Sequence, residues 1–189
     1  LYITNNYLKI LKHRKLVKDC IRKKISAQKE LFDIYNQKMF RLAFRYLKNK
    51  EDAEDILADS FIIVFEKIHN FELRNENSLE NWIKTIVINN ALMMLRKNKK
   101  IIFSDAEPDT EYSTFDDNDF DYENILTAVM SLPSGYRTVF NMHAVEGYSH
   151  KEIANKLEIS IQTSKSQYHR AKIKLREKLK AFGYERKRI

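Results

Sequence analysis

Residues 149–179, SHKEIANKLEISIQTSKSQYHRAKIKLREKL, decide how this chain reads. Ser149 with Glu152 three positions on forms a capping-box pattern, and Ile153, Ala154 and Leu157 supply a short amphipathic helix. The small Ala154 allows a second helix to approach closely. A three-residue turn, Glu158-Ile159-Ser160, has an apolar middle residue that would pin the two helices at a steep angle. Ser160 then caps a longer helix whose Ile161, Ser164, Tyr168, Ala171, Leu175 and Leu179 recur at steps of three and four. The opposite face carries Gln162, Thr163, Lys165, Ser166, Gln167, His169, Arg170 and Lys172. This pattern predicts a helix-turn-helix: amides and hydroxyls suit base edges in the major groove, and the cations suit phosphates or guanine. A helical hairpin with a solvated face is the plainer alternative. The steep turn and the lack of acids on the exposed face before Glu177 favour DNA.

Outside this segment the composition agrees. The 189 residues include three glycines, two prolines and many Leu, Ile, Lys and Glu at helical spacing, so an all-α fold is expected. No run approaches the roughly 18 apolar residues of a membrane span. Lys12, Arg14, Lys15 and Lys18 replace a signal-peptide core, so a cytoplasmic protein with no membrane partner is expected. The lone Cys20, beside Leu16, Val17 and Ile21, reads as a buried thiol.

Charge divides the chain. The net charge is +8, yet nine acids and no Lys or Arg lie between Asp105 and Glu123. Setting those nine aside leaves 34 basic against 17 acidic residues, a composition suited to a polyanionic partner. Residues 101–122, IIFSDAEPDTEYSTFDDNDFDY, lack helical periodicity and hold Pro108, so they read as a linker between a domain at 14–100 and another at 123–189.

The first block reads as four helices. The opening one carries Leu16, Val17, Cys20 and Ile21. The second starts near Ser26 as N-cap and buries Leu31, Ile34, Tyr35, Met39, Leu42, Ala43 and Tyr46. The third opens on the acids at 51–55, where the helix dipole favours them, and turns Leu57, Phe61, Val64, Phe65 and Ile68 inward. The fourth turns Trp82, Ile83, Ile86 and Val87 inward and ends in Arg96, Lys97, Lys99 and Lys100. The spacing of Trp82 favours core packing over a base-stacking platform. Residues 1–13 read as a helical extension, and the absent initiating Met suggests an incomplete chain.

Residues 132–179 resemble region 4 of extracytoplasmic-function (ECF) sigma factors, group 4 of the sigma-70 family, through LP, Arg137, Phe140, EGYSHKEIA and TSKSQYHRAK in order. Independently, KEDAEDILADSF (50–61) and NWIKTIVINNALMMLRK (81–97) resemble region 2 of the same family. The resemblance implies an alternative sigma factor: a region 2 four-helix domain and a region 4 helix-turn-helix domain that bind core RNA polymerase, recognise −35 and −10 promoter elements and promote melting. It places Asp52, Asp55, Asp59 and Phe61 on the β′ clamp helices, with Ala58 where many relatives have Gln. It places Leu175, Leu179 and Phe182 on the β flap. The loop bearing Phe71, Arg74, Asn75 and Asn77 would accept a flipped −10 base. Asn89 would sit at the strand-separation point, with Lys84, Asn90, Arg96 and Lys97 on the unpaired strand. Arg137 joins the recognition-helix residues on the −35 side, where Gln167 stands in place of a common Arg. The linker could thread the polymerase cleft or act as a solvated tether. An anti-sigma factor is a further expected partner.

No Gly-rich phosphate loop, CxxC pair or nucleophile-base arrangement occurs, and the five His are scattered, so no enzyme, catalytic residue or cofactor is expected. Asp52, Glu54, Asp55 and Asp59 crowd one helix, whereas divalent-metal sites draw carboxylates from several elements, so no metal site is expected. A self-standing helix-turn-helix regulator is the competing function. It gives no reason for the first block's resemblance.

Overall fold

The computed structural model describes residues 2–97 and 120–184, and among them every regular element is helical. The chain divides into two compact units, the division falling after Met94 in the last turn of the fourth helix. Residues 98–119, which hold Lys99, Lys100 and most of the linker expected at 101–122, lie outside the described residues. The linker's last expected members do not: a helix begins at Phe120, three positions inside the expected linker.

The first unit packs α1 (Tyr2–Ile21), α2 (Ile25–Leu47), α3 (Lys50–Lys67), a 3-10 turn (Ile68–Asn70) and α4 (Ser78–Lys97). The expected extension is therefore the start of α1 itself. Its core joins Leu16, Val17 and Cys20 to Leu31, Tyr35, Met39, Leu42, Ala43 and Tyr46, then to Ile56, Val64, Leu79, Ile83 and Val87. Each such large side chain contributes about 1.5–3 kcal/mol by leaving water. Burial also pushes the Cys20 thiol up to about 11, which keeps it protonated.

Local capping departs from expectation at α2. Ser26 is not an N-cap: α2 starts one residue earlier, and its cap position, Lys24, makes no side-chain bond. By contrast, Asn49 caps α3, its side-chain oxygen accepting Asp52 N–H at 2.7 Å. The inward stripe of α3 is Ala53, Ile56, Ser60, Phe61 and Val64, while Leu57 and Phe65 are half-buried beside it. Ile34 of α2 is exposed, and Trp82 and Ile86 of α4 are half-buried.

The second unit comprises α5 (Phe120–Met130), α6 (Ser134–Phe140), a π-helical turn (Asn141–Val145), α7 (His150–Leu157) and α8 (Ile161–Ala181). Ala128, Val129, Leu132, Tyr136, Ala171 and Leu175 form its core, with Phe140 and Leu179 packed against it. Gly147, at φ +79°, supplies the left-handed turn into α7 that an L-residue rarely adopts. Glu158, at φ 57°, closes α7 in the same conformation, its N–H bonding back to the Ala154 carbonyl. Short α7, tight turn and long α8 give the helix-turn-helix.

Candidate nucleic-acid interface

The capping box that opens α7 is complete. Ser149 Oγ accepts Glu152 N–H at 3.3 Å, and Glu152 Oε2 accepts Ser149 N–H at 2.8 Å. These bonds from Ser149 hold the Glu152 carboxyl below its usual range. Behind the box, three aromatic rings tie the hairpin together. His150 stacks on His143 at 4.2 Å, and both present to Tyr168 of α8, at 5.8 and 4.6 Å. His150 Nδ1 also meets Ser164 Oγ at 2.9 Å. Burial, then the neighbouring His143 and Lys165, lower the His150 pKa.

On α8, Ser160 Oγ accepts Thr163 N–H at 2.8 Å and pairs with Thr163 Oγ1 at 2.8 Å. The outer face presents Gln162, Lys165, His169, Arg170 and Lys172, with Thr163 and Ser166 half-buried. Ser166 Oγ donates to the Thr163 carbonyl at 3.0 Å. Arg170 reaches across to Tyr136 Oη at 3.3 Å, and Lys172 lies over the Tyr168 ring at 4.8 Å.

Two members of the expected −35 set are placed elsewhere. Gln167 is buried, at 4% exposure, because positions 164, 167, 171 and 175 make the inward stripe. Arg137 is also buried, at 3%, and donates through Nη1 to the Leu132 carbonyl at 2.9 Å. Burial pulls its guanidinium down to about 9. Its geometry is that of a strut across the α5–α6 turn. Ser164 is buried as expected, whereas Ile161, expected inward, is 45% exposed.

Along α4, Asn81, Thr85, Asn89, Met93 and Arg96 share an outer face, with Lys97 exposed and Lys84 half-buried nearby. Met93, 59% exposed, was not anticipated. Asn90 is a correction: it is buried and donates to Ser60 Oγ of α3 at 3.0 Å, which turns it from the outer face. The loop before α4 is shaped by Ser78, whose hydroxyl accepts the N–H groups of Arg74 and Asn75 at 3.2 and 2.7 Å. Asn77 N–H donates to Asn75 Oδ1 at 3.0 Å. Phe71 packs on Trp82, centroids 5.1 Å apart, leaving a half-buried aromatic pair at the loop's base.

The expected polymerase contacts split in the same way. Asp55 and Asp59 are exposed and Asp52 half-buried on α3. Phe61 is core instead, edge-on to Phe32 at 4.8 Å. Ile62, 56% exposed, is the apolar side chain available near those acids. On α8, Leu175 is buried in the core and Leu179 half-buried against it, leaving Phe182 exposed at 42%.

Comparison with known proteins bears on both units. The family model "Sigma-70 region 2" matches residues 31–101, and "Sigma-70, region 4" matches residues 122–175. The ECF RNA polymerase sigma factor SigW of Bacillus subtilis (strain 168) is 29% identical over 182 residues, covering 88% of this chain and 96% of that protein. The chain belongs to the ECF sigma factors of the sigma-70 family.

A second relative, ECF sigma factor SigE of Mycolicibacterium smegmatis, is 30% identical over 160 residues, 79% of this sigma factor and 60% of that one. Among solved structures, the sigma factor RpoE in complex with the anti-sigma factor NepR from Bartonella quintana has a similar fold. Its TM-score is 0.53 at 22% identity, covering 80% of this chain and 96% of that one. CnrH in complex with the cytosolic domain of CnrY gives 0.51 at 18%, covering 89% and 97%. Among the described residues of this sigma factor, no helix is long and apolar enough to cross a membrane. None of their His, Cys, Asp and Glu side chains form a group of three or more able to hold a metal.

Proposed function

We propose that this chain is the promoter-recognising subunit of a bacterial RNA polymerase. It binds core enzyme, recognises −35 and −10 elements and promotes melting of the −10 segment, working in the cytoplasm with the transcription machinery. The supporting observation is the presence in one chain of both a region 2 and a region 4 unit, each with an outer face suited to nucleic acid. In region 4 that face is Gln162, Lys165, His169, Arg170 and Lys172 of α8, with Thr163 and Ser166 at its edge. In region 2 it is Asn89, Lys84, Arg96 and Lys97 of α4 with the loop of Phe71, Arg74, Asn75 and Asn77.

Asp52, Asp55, Asp59 and the exposed Ile62 form the α3 surface for the β′ clamp helices. Phe182 and the half-buried Leu179 form that for the β flap. An anti-sigma factor covering these surfaces would hold the protein inactive; the similar RpoE–NepR structure is of a sigma factor in complex with an anti-sigma factor. The test is co-elution with core polymerase in gel filtration, followed by in vitro transcription from a pool of candidate promoters. Core binding with promoter-selective transcripts is expected. Failure to bind core overturns the reading, and sequence-selective repression by the isolated chain would replace it with a self-standing regulator.

A further inference from the structure

The periodicity of α8 puts Ile161 on the same stripe as Ser164 and Leu175, yet it is 45% exposed while Ser164 is fully buried. The cause is its place as the first residue of α8. Side chains lean toward the N-terminus of their helix, so a first-turn side chain projects past the packed part of the hairpin. The polar groups beside it are already engaged: the Ser160 and Thr163 hydroxyls pair at 2.8 Å, and Ser160 Oγ also holds Thr163 N–H. Ile161 is thus a β-branched apolar group at the tip of the helix. The exposed polar residues that follow are Gln162, Lys165, His169, Arg170, Lys172 and Arg176, with no acid before Glu177, and the next exposed apolar residue, Ile173, lies about three turns further along the helix.

Single exposed apolar residues are ordinary on protein surfaces. The setting of this one differs, because a recognition helix contacts base edges through its N-terminal residues, and its charge here complements DNA. The apolar feature of a base edge in the major groove is the C5-methyl of thymine. We propose that Ile161 is a specificity-determining residue that packs on a thymine methyl in the −35 element, beside the amide of Gln162. This rests on the sigma-factor reading and adds to it a base preference held by an aliphatic contact.

Burying about one methylene's worth of surface changes affinity about fourfold. The test uses holoenzyme assembled from core polymerase and the full chain. A −35 element is first selected from a randomised pool, and each thymine in it is then replaced by deoxyuridine, which lacks only the methyl. The expected result is one position where deoxyuridine weakens wild-type binding about fourfold and leaves Ile161→Ala binding unchanged, with Ile161→Val intermediate. An unchanged thermal melt of both variants excludes a folding effect.

A selected element with no responding thymine overturns the proposal, as does an Ile161→Ala protein that keeps the wild-type penalty. Either outcome leaves the sigma-factor reading standing if binding is otherwise promoter-selective. Holoenzyme without any sequence selectivity overturns both.

Discussion

Replacing Arg137 by Ala separates a structural arginine from a DNA contact, because the two roles predict opposite observables. The guanidinium is 3% exposed and donates at 2.9 Å to the carbonyl of Leu132, itself fully buried. Removing the donor strands that carbonyl at a cost of about 1–3 kcal/mol. Removing the buried stem forfeits roughly 1.5 kcal/mol more at about 0.8 kcal/mol per methylene. A loss of ~3–4 kcal/mol should lower the melting temperature of a domain this small by roughly 10–30 °C. The single tryptophan, Trp82, lies in the first unit, so its fluorescence reports that unit while circular dichroism reports both. Arg137→Ala should shift the dichroism transition and leave the tryptophan transition in place, and Arg137→Lys should fall between. Below its melt, Arg137→Ala should bind promoter DNA with the wild-type salt slope. A stable variant whose slope of log K against log salt falls by ~0.9 would refute this reasoning and return Arg137 to the DNA face.

Lys165→Ala and Arg170→Ala should each weaken promoter binding and, where the lost contact is to phosphate, reduce the salt slope by ~0.9; salt titrations of both holoenzymes check this. Ser60→Ala should destabilise the first unit by about 1–3 kcal/mol by stranding the Asn90 amide, and adding Asn90→Leu should recover much of the loss, both read by urea unfolding at Trp82. Because the folded protein holds the His150 pKa below 6.5, the unfolded chain takes up the proton first. Stability contributed by His150 is therefore complete above pH 6.5 and lost as pH falls from there through the folded pKa. His150→Asn should flatten that part of the urea-midpoint profile between pH 7.5 and 5, and an unchanged profile would remove His150 from the account.

The elements were legible where local chemistry decides them. The Ser149–Glu152 box and the Ser160 cap could be read because a cap involves residues three apart in the chain. Ser26 misled because a hydroxyl near a helix start is permitted to cap and not compelled to, and here the helix begins before it. The buried side chains were harder. Gln167 lies three residues after Ser164 and four before Ala171, so its burial was present in the spacing, but a polar side chain argued against the inward stripe. Nothing local marked Arg137 or Asn90 as interior, since their partners Leu132 and Ser60 become neighbours only through a turn and tertiary packing, whereas the spacing of Phe61 did turn it inward and only the resemblance set it on a contact surface. Motif resemblance cannot separate a residue retained for contact from one retained for packing. Exposure can.

That distinction narrows how region 4 works. With Arg137 and Gln167 inside, the forked and amide groups left on the proposed −35 face are Arg170 and Gln162, supported by Lys165, His169 and Lys172. Thr163 and Ser166 contribute less than their chemistry suggests, because both hydroxyls are already bonded, one to Ser160 and one to the Thr163 carbonyl. A face with one forked arginine and lysines that act as point charges supplies charge more readily than sequence discrimination. Discrimination must then come from a few rigid groups near the helix start, where Ile161 and Gln162 sit on a capped first turn. It must also come from holding this face and the α4 face on one DNA at once. Linking two modest readers raises the effective concentration of the second, so each can be weak alone and selective together. On that account the isolated chain should bind promoter duplex weakly and with a steep salt dependence, and selectivity should appear with core polymerase. Selectivity in the isolated chain equal to that of the holoenzyme would contradict it.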